Sequence, residues 1–214
     1  MRLIGRYASP FVRRVAVTMR HHDLSYEHVS VMPFGEAKQA LAKINPIARV
    51  PVLELEDGER LIDSAVILDY LDLLVGPERA LTPPSGAARR RVLTHLAIAS
   101  GVMDKLVAVL YERHFRPQKK WHQPWIDACE KQIRDGLIWL DRQFEGEWLN
   151  GTTMTQADLS LAIFWLFGNA KRPGFFNRLD CPNITALSDR LKTTAPFRDT
   201  PPETETLSRD LPSC

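Results

Sequence analysis

The sequence predicts a two-part fold, a small mixed α/β domain followed by an all-helical one, and three observations carry that expectation. Strand-like and helix-like signals alternate through the first 75 residues. A break rich in proline and glycine follows, from Gly76-Pro77 to Pro83-Pro84-Ser85-Gly86. Beyond Ala87 the apolar residues recur at three- and four-residue steps, with no strand pattern among them.

Leu3-Ile4 reads as a short strand. Ser9-Pro10 is a helix start with proline in the first turn, and Phe11, Val12, Val15, Ala16 and Met19 continue it at helical spacing. Residues 26–31 alternate as a second strand and 36–44 form a short helix that Asn45-Pro46 interrupts. Residues 52–55, the turn Asp57-Gly58 and residues 60–62 make a hairpin, and an apolar helix spans 64–74. The order is βαβαββα, a small mixed sheet with helices on its faces.

In the second part, Leu93, Leu96, Ala97, Met103, Leu106, Val107 and Leu110 mark one long helix. Ile126, Cys129, Ile133, Leu137, Leu140 and Phe144 mark another, and the two should pack antiparallel. Thr155-Gln-Ala-Asp158 has the outline of a capping box, opening a helix so apolar over 159–167 that it belongs at the centre of the bundle. A last helix covers 183–194. The expected division is 1–76 for the first domain, 77–86 for a linker, 87–199 for the helical domain, and 200–214 for a tail without a fixed fold.

A formal charge of +2 is too near balance to favour nucleic acid or an acidic membrane surface. The basic clusters Arg13-Arg14, Arg89-Arg90-Arg91 and Lys119-Lys120 are expected on solvated helix faces. Three cysteines form no CxxC, no metal-ligand spacing and no even disulfide set, which fits a reducing, cytoplasmic setting and no metal. Cys129 falls on an apolar helix face, and Cys214, the last residue, is expected to be a mobile thiol. The start of the chain meets Arg6 before any long apolar run, and the nine residues 159–167 fall short of the ~20 that span a bilayer, so a soluble protein is expected.

Two motifs point to chemistry. Val50-Pro51 stands at a strand entrance, where proline cannot join a ladder and the main chain of Val50 is free for an extended ligand. Twelve residues on, Asp63-Ser64 opens a helix whose unpaired N–H groups and hydroxyl suit a carboxylate. Together they describe a slot for a small peptide. Ser9 can also be read as no more than a helix cap, and Ser64 likewise.

Assembled, these pieces resemble the cytosolic glutathione transferases over nearly the whole chain. The resemblance rests on Ser9-Pro-Phe-Val-Arg-Arg-Val, Asn45-Pro-Ile-Ala-Arg-Val-Pro-Val52, Asp63-Ser-Ala-Val-Ile-Leu-Asp-Tyr-Leu71 and Thr155-Gln-Ala-Asp158. Asp63 departs from the longer Glu or Gln common at its position, and Ser9 stands where some members carry cysteine. Tyr7 lies near the place of a family tyrosine and ranks below Ser9.

The resemblance implies a thioredoxin-like N-terminal domain and a helical C-terminal domain. It implies glutathione as co-substrate, with no permanently bound cofactor, and an apolar electrophile or a peroxide as the second substrate. It also implies a homodimer and a cytoplasmic location.

In that frame Ser9 donates a hydrogen bond to the glutathione thiolate. A charge-assisted bond contributes about 1.5–3 kcal/mol and the helix N-terminus about 0.3–1, enough to lower a thiol pKa near ~8.5 by about two units. Val50 pairs with the cysteinyl main chain beside a cis Pro51, Asp63 takes the ammonium and Ser64 the α-carboxylate of the γ-glutamyl end. Arg49 is a partner for the glycyl carboxylate, or a plain surface arginine. Tyr111, His114 and Phe115 are candidates for the electrophile pocket, whereas Trp165 and Phe167 belong to the core. His21-His22 should complement a helix dipole, and Asp158 should cap. Two alternatives stay open: a glutathione-dependent thiol–disulfide oxidoreductase, which Ser9 disfavours, and a non-catalytic interaction module.

Overall fold

The computed structural model describes residues 1–35 and 37–203. The expectations for Glu36, for the tail beyond residue 203 and for Cys214 lie outside the described residues.

Four strands, β1 (Arg2–Ile4), β2 (Glu27–Val29), β3 (Val52–Glu54) and β4 (Arg60–Ile62), form one sheet in the order β2-β1-β3-β4. β1 runs parallel to β2 and antiparallel to β3, and β3 pairs antiparallel with β4. Between them lie α1 (Pro10–His21), α2 (Ala37–Ala42) and α3 (Ser64–Val75), giving the βαβαββα order.

Register and pleat sort the side chains. Leu3 opposes Leu53 and Ile4 opposes Val52, so each pair shares one face. Leu3 and Leu53 pack with Val12, Val15, Ala16 and Met19 of α1 and Ile67 and Leu71 of α3. Ile4 and Val52 pack with Leu41 of α2 on the opposite face. Each such burial stabilises by about 1.5–3 kcal/mol.

The helical part comprises α4 (Gly86–Phe115), a 3₁₀ turn at Gln118–Lys120, α5 (Gln123–Asp141), α6 (Gln156–Lys171), α7 (Pro173–Phe176) and α8 (Pro182–Leu191). Val109, late in α4, packs on Ile126 and Cys129, early in α5. A side chain at Gly136 of α5 would strike Val102 of α4, so the two helices run antiparallel. The buried stripe of α4 is Val92, His95, Ala99, Val102, Met103, Leu106 and Val109, whereas Leu93 is exposed. That is a rotation from the stripe the sequence suggests, because α4 carries apolar residues on more than one face. By length and composition α4 would also pass for a membrane span. Its buried stripe, which includes His95, is that of a bundle helix.

α6 is buried along most of its length. Gly168 leaves room for the ring of Phe176, which meets Trp165 edge-on at 5.5 Å. Phe167 is only half-buried, unlike Trp165. The Asp158 carboxylate, fully buried, accepts from Leu149 N–H at 2.7 Å, from Thr155 N–H at 2.8 Å and from the Thr155 hydroxyl at 2.7 Å. It closes the start of α6 and ties down the preceding loop. Asp141 does the same for α8, accepting from Ile184 N–H at 2.8 Å.

The chain divides into two compact units, Met1–Ala80 with the residues from Thr193 onward, and Leu81–Lys192. This differs from the expected division, which left residues up to 199 with the helical domain. The last helix, α9 (Ala195–Arg198), returns to α1 instead. Arg13 donates from Nε to Thr200 O at 2.9 Å and from Nη2 to Phe197 O at 3.2 Å, and its guanidinium lies over the Phe197 ring at 5.5 Å. Arg13 and Arg14 are therefore buried rather than solvated, with 9% and 3% of their surface exposed. Lys119-Lys120 and Arg90-Arg91 are exposed, as expected.

Candidate functional site

Ser9 is the N-cap of α1, in extended backbone geometry, with Pro10 in the first turn. Its hydroxyl accepts from Val12 N–H at 3.5 Å, too long to be a strong cap. Among the described residues its hydrogen has no acceptor, which leaves it to donate to a ligand. Tyr7 is differently placed. Its hydroxyl meets that of Tyr26 at 2.8 Å, and its ring stacks on His28 at 3.9 Å. Burial is the largest cause holding the Tyr7 phenol well above its ordinary pKa, and the Tyr26 hydrogen bond adds to it.

The Val50-Pro51 peptide is cis. Asn45, buried, shapes the loop before it: Nδ2 donates to Arg49 O at 2.8 Å and Oδ1 accepts from Ile47 N–H at 3.1 Å. Among the described residues no partner is found for the N–H or C=O of Val50. Gly5, at φ +131°, runs so close beneath that a β-carbon there would lie 2.6 Å from Val12 and 2.8 Å from Val50. Absence of that side chain brings the Val50 loop against the first turn of α1. The Arg49 side chain is exposed and makes no ion pair among the described residues.

Asp63, not Ser64, caps α3. It accepts from Ala65 N–H at 2.8 Å with its own backbone at φ +73°, a left-handed conformation that costs a non-glycine residue about 1–3 kcal/mol. Ser64 is 1% exposed, and the Arg14 guanidinium reaches its Oγ from Nε at 3.0 Å and from Nη2 at 2.6 Å. Those donors occupy the oxygen's lone pairs and leave the hydroxyl hydrogen as a donor. A permanent cation behind it favours an anion in front.

Thus α1 holds the assembly together. Ser9 is at its tip, Val12 meets the Val50 loop and Arg14 anchors Ser64 on α3. Sequence reasoning missed Arg14 and Asn45. A pair of arginines inside an otherwise apolar helix was the available signal for the first. His21-His22 also differs from expectation. Burial, then the neighbouring His21 and Arg79 charges, depress the pKa of His22 to about 4, so it carries no charge to the end of α1. Arg79 supplies one instead, donating to His22 O at 2.7 Å.

Tyr111, His114 and Phe115 belong to the other unit, where they lie exposed on the last turns of α4. The Phe115 ring meets Tyr111 edge-on at 5.2 Å and His114 at 5.0 Å. Their geometry defines an aromatic cluster and nothing more specific. Groups of three or more His, Cys, Asp or Glu suited to a metal are absent among the described residues.

Residues 3–79 match the family model for the N-terminal domain of glutathione S-transferases. The uncharacterized GST-like protein YibF of Escherichia coli is 29% identical over 205 residues, covering 94% of this chain and 98% of that protein. A glutathione transferase family member from Pseudomonas fluorescens, crystallised with glutathione, is 31% identical with a TM-score of 0.84 over 94% of this chain and 98% of its own. A glutathione S-transferase from Methylobacterium radiotolerans, in complex with glutathione sulfonate, superposes with a TM-score of 0.88 at 27% identity over 98% of both chains. The chain belongs to the glutathione S-transferase family. Its N-terminal unit is thioredoxin-like, and a helical region follows.

Proposed function

We propose that this protein binds glutathione and activates its thiol for addition to an apolar electrophile or for reduction of a peroxide. The observation that carries the reading is the main chain of Val50, unpaired among the described residues and held against the first turn of α1, with the Ser9 hydroxyl at that helix tip. An extended tripeptide pairs its cysteinyl N–H and C=O with Val50, which brings the sulfur to Ser9. The γ-glutamyl carboxylate takes the Ser64 hydroxyl and N–H, with Arg14 behind, and Asp63 takes the ammonium. Arg49 receives the glycyl carboxylate. No metal and no permanently bound cofactor enter this scheme. It includes a homodimer and a reducing cytoplasm, where Cys129 and Cys181 stay as free thiols.

Ser9 acts by holding the thiolate, so no proton relay is needed. Conversion to alanine removes one charge-assisted bond, and the thiol pKa should rise by about one to two units. Calorimetric titration with glutathione, followed by thiolate absorbance against pH for wild type and Ser9→Ala, tests this. Binding with a shifted thiol pKa in the variant supports the reading. No heat at millimolar glutathione would defeat it and favour an interaction module. Robust reduction of glutathione mixed disulfides, unchanged in Ser9→Ala, would favour the oxidoreductase.

A further inference from the structure

The C-terminal segment brings a carboxylate to the residue next to Ser9, and the scheme above does not use it. Glu203 Oε2 accepts from Ala8 N–H at 2.7 Å, and the Ser30 hydroxyl reaches Oε1 at 3.4 Å. The approach is built. Phe197 is 2% exposed and Thr200 fully buried, the Thr200 hydroxyl donates to Pro196 O at 2.8 Å, and Arg13 holds both Phe197 O and Thr200 O. Glu203 follows that anchor by three residues. Among the described residues it has no ion-pair partner, and its charge bears on the Tyr7 phenol, where it favours the protonated form. One peptide unit separates Ala8 from Ser9, which puts the carboxylate roughly 5–8 Å from the Ser9 hydroxyl.

We propose that Glu203 sets the charge preference of the second substrate, favouring electrophiles that carry positive charge or N–H and O–H donors beside the reacting carbon and disfavouring anionic ones. This rests on the reading of Ser9 as the residue that holds the glutathione thiolate. A unit charge at that range, partly screened, changes the rate of a charged acceptor by about tenfold, equivalent to about 1.4 kcal/mol. The same carboxylate opposes the thiolate. That effect is common to every acceptor and cancels in a ratio of rates. A purely structural role for Glu203 would leave the ratio unmoved.

Three chloronitrobenzenes of equal reactive core make the test: 4-chloro-3-nitrobenzoate, its neutral amide, and the 4-chloro-3-nitrobenzyl-trimethylammonium ion. In each the thiolate sulfur forms a C–S bond at the ring carbon, chloride leaves with the C–Cl pair, and the thiol proton goes to solvent. The measured quantity is kcat/KM for the cation over that for the anion. Glu203→Gln keeps an acceptor for Ala8 N–H and removes the charge. We expect the ratio to fall at least about tenfold in Glu203→Gln, to persist in Glu203→Asp, and to shrink in the wild type at 0.5 M salt. Calorimetric affinity for glutathione should stay within about twofold in all three proteins, since Glu203 makes none of the contacts assigned to the tripeptide. An unchanged ratio in Glu203→Gln, or no salt dependence in the wild type, overturns the inference while leaving glutathione binding intact. Loss of glutathione binding by the wild type itself would instead overturn the functional reading, and this inference with it.

Discussion

At the scale of single residues, the arginine behind Ser64 has the clearest consequence. Arg14→Met keeps much of the buried stem volume and removes both donors to Ser64 Oγ. Glutathione affinity should fall by about 10- to 100-fold, the value of a buried charge-assisted contact, and a calorimetric Kd checks it. The residue was legible as an arginine and illegible as the buried anchor of Ser64. Spacing places it on α1, but only the fold brings α3 to the same point. The cap at Ser9, the proline at a strand entrance in Val50-Pro51 and the helix start at Asp63-Ser64 were legible because each is a local signal, whereas the cis bond was expected only from the family resemblance. The division of labour inside Asp63-Ser64 was not, since the choice of cap depends on a backbone angle that the letters do not carry.

Among elements, the start of α6 shows how one carboxylate can hold a segment. Burial is the largest cause raising the Asp158 pKa, and hydrogen bonds from the Leu149 and Thr155 main chain and the Thr155 hydroxyl oppose it. Asp158→Ala leaves two buried N–H groups without an acceptor, a loss of about 3 kcal/mol, larger than an isolated helix cap. Chemical denaturation should show this as a lower midpoint at an unchanged slope. Capping was readable from Thr155-Gln-Ala-Asp158. The reach to Leu149 was not, because it crosses a loop.

The end of α1 gives a pH signature. The folded pKa of His22 lies at about 4, below the ordinary imidazole value of 6.5, so the unfolded chain binds the proton more tightly. Stability from this group is fully present above about 6.5 and is lost as pH falls toward 4. Melting temperature against pH should therefore decline over that interval, and His22→Gln should flatten the decline. A slope unaffected by the substitution would assign it to other groups.

For the whole molecule, the order βαβαββα and the helical remainder were legible because short strands, turns and helical periods are written locally. The return of α9 to the first unit was not. It depends on a buried arginine finding carbonyls almost two hundred residues away, and no spacing rule covers that distance. Phe197→Ala should destabilise the first unit by about 3–5 kcal/mol, since it opens a cavity beneath Arg13. Hydrogen exchange should show the loss concentrated in the amides of α1 and β1, with those of α4 and α5 less affected.

That C-terminal return has a consequence for biosynthesis. Translation proceeds at about 5–20 residues per second, and the acceptors for Arg13 are specified only at positions 197 and 200. The first-made unit therefore waits about ten seconds or more with the Arg13 guanidinium hydrated rather than buried, and its folding completes only once residues 197–200 have left the ribosome. Ribosome-stalled nascent chains ending near residue 190 should be cut by protease within α1, and chains extended past 203 and clear of the exit tunnel should resist.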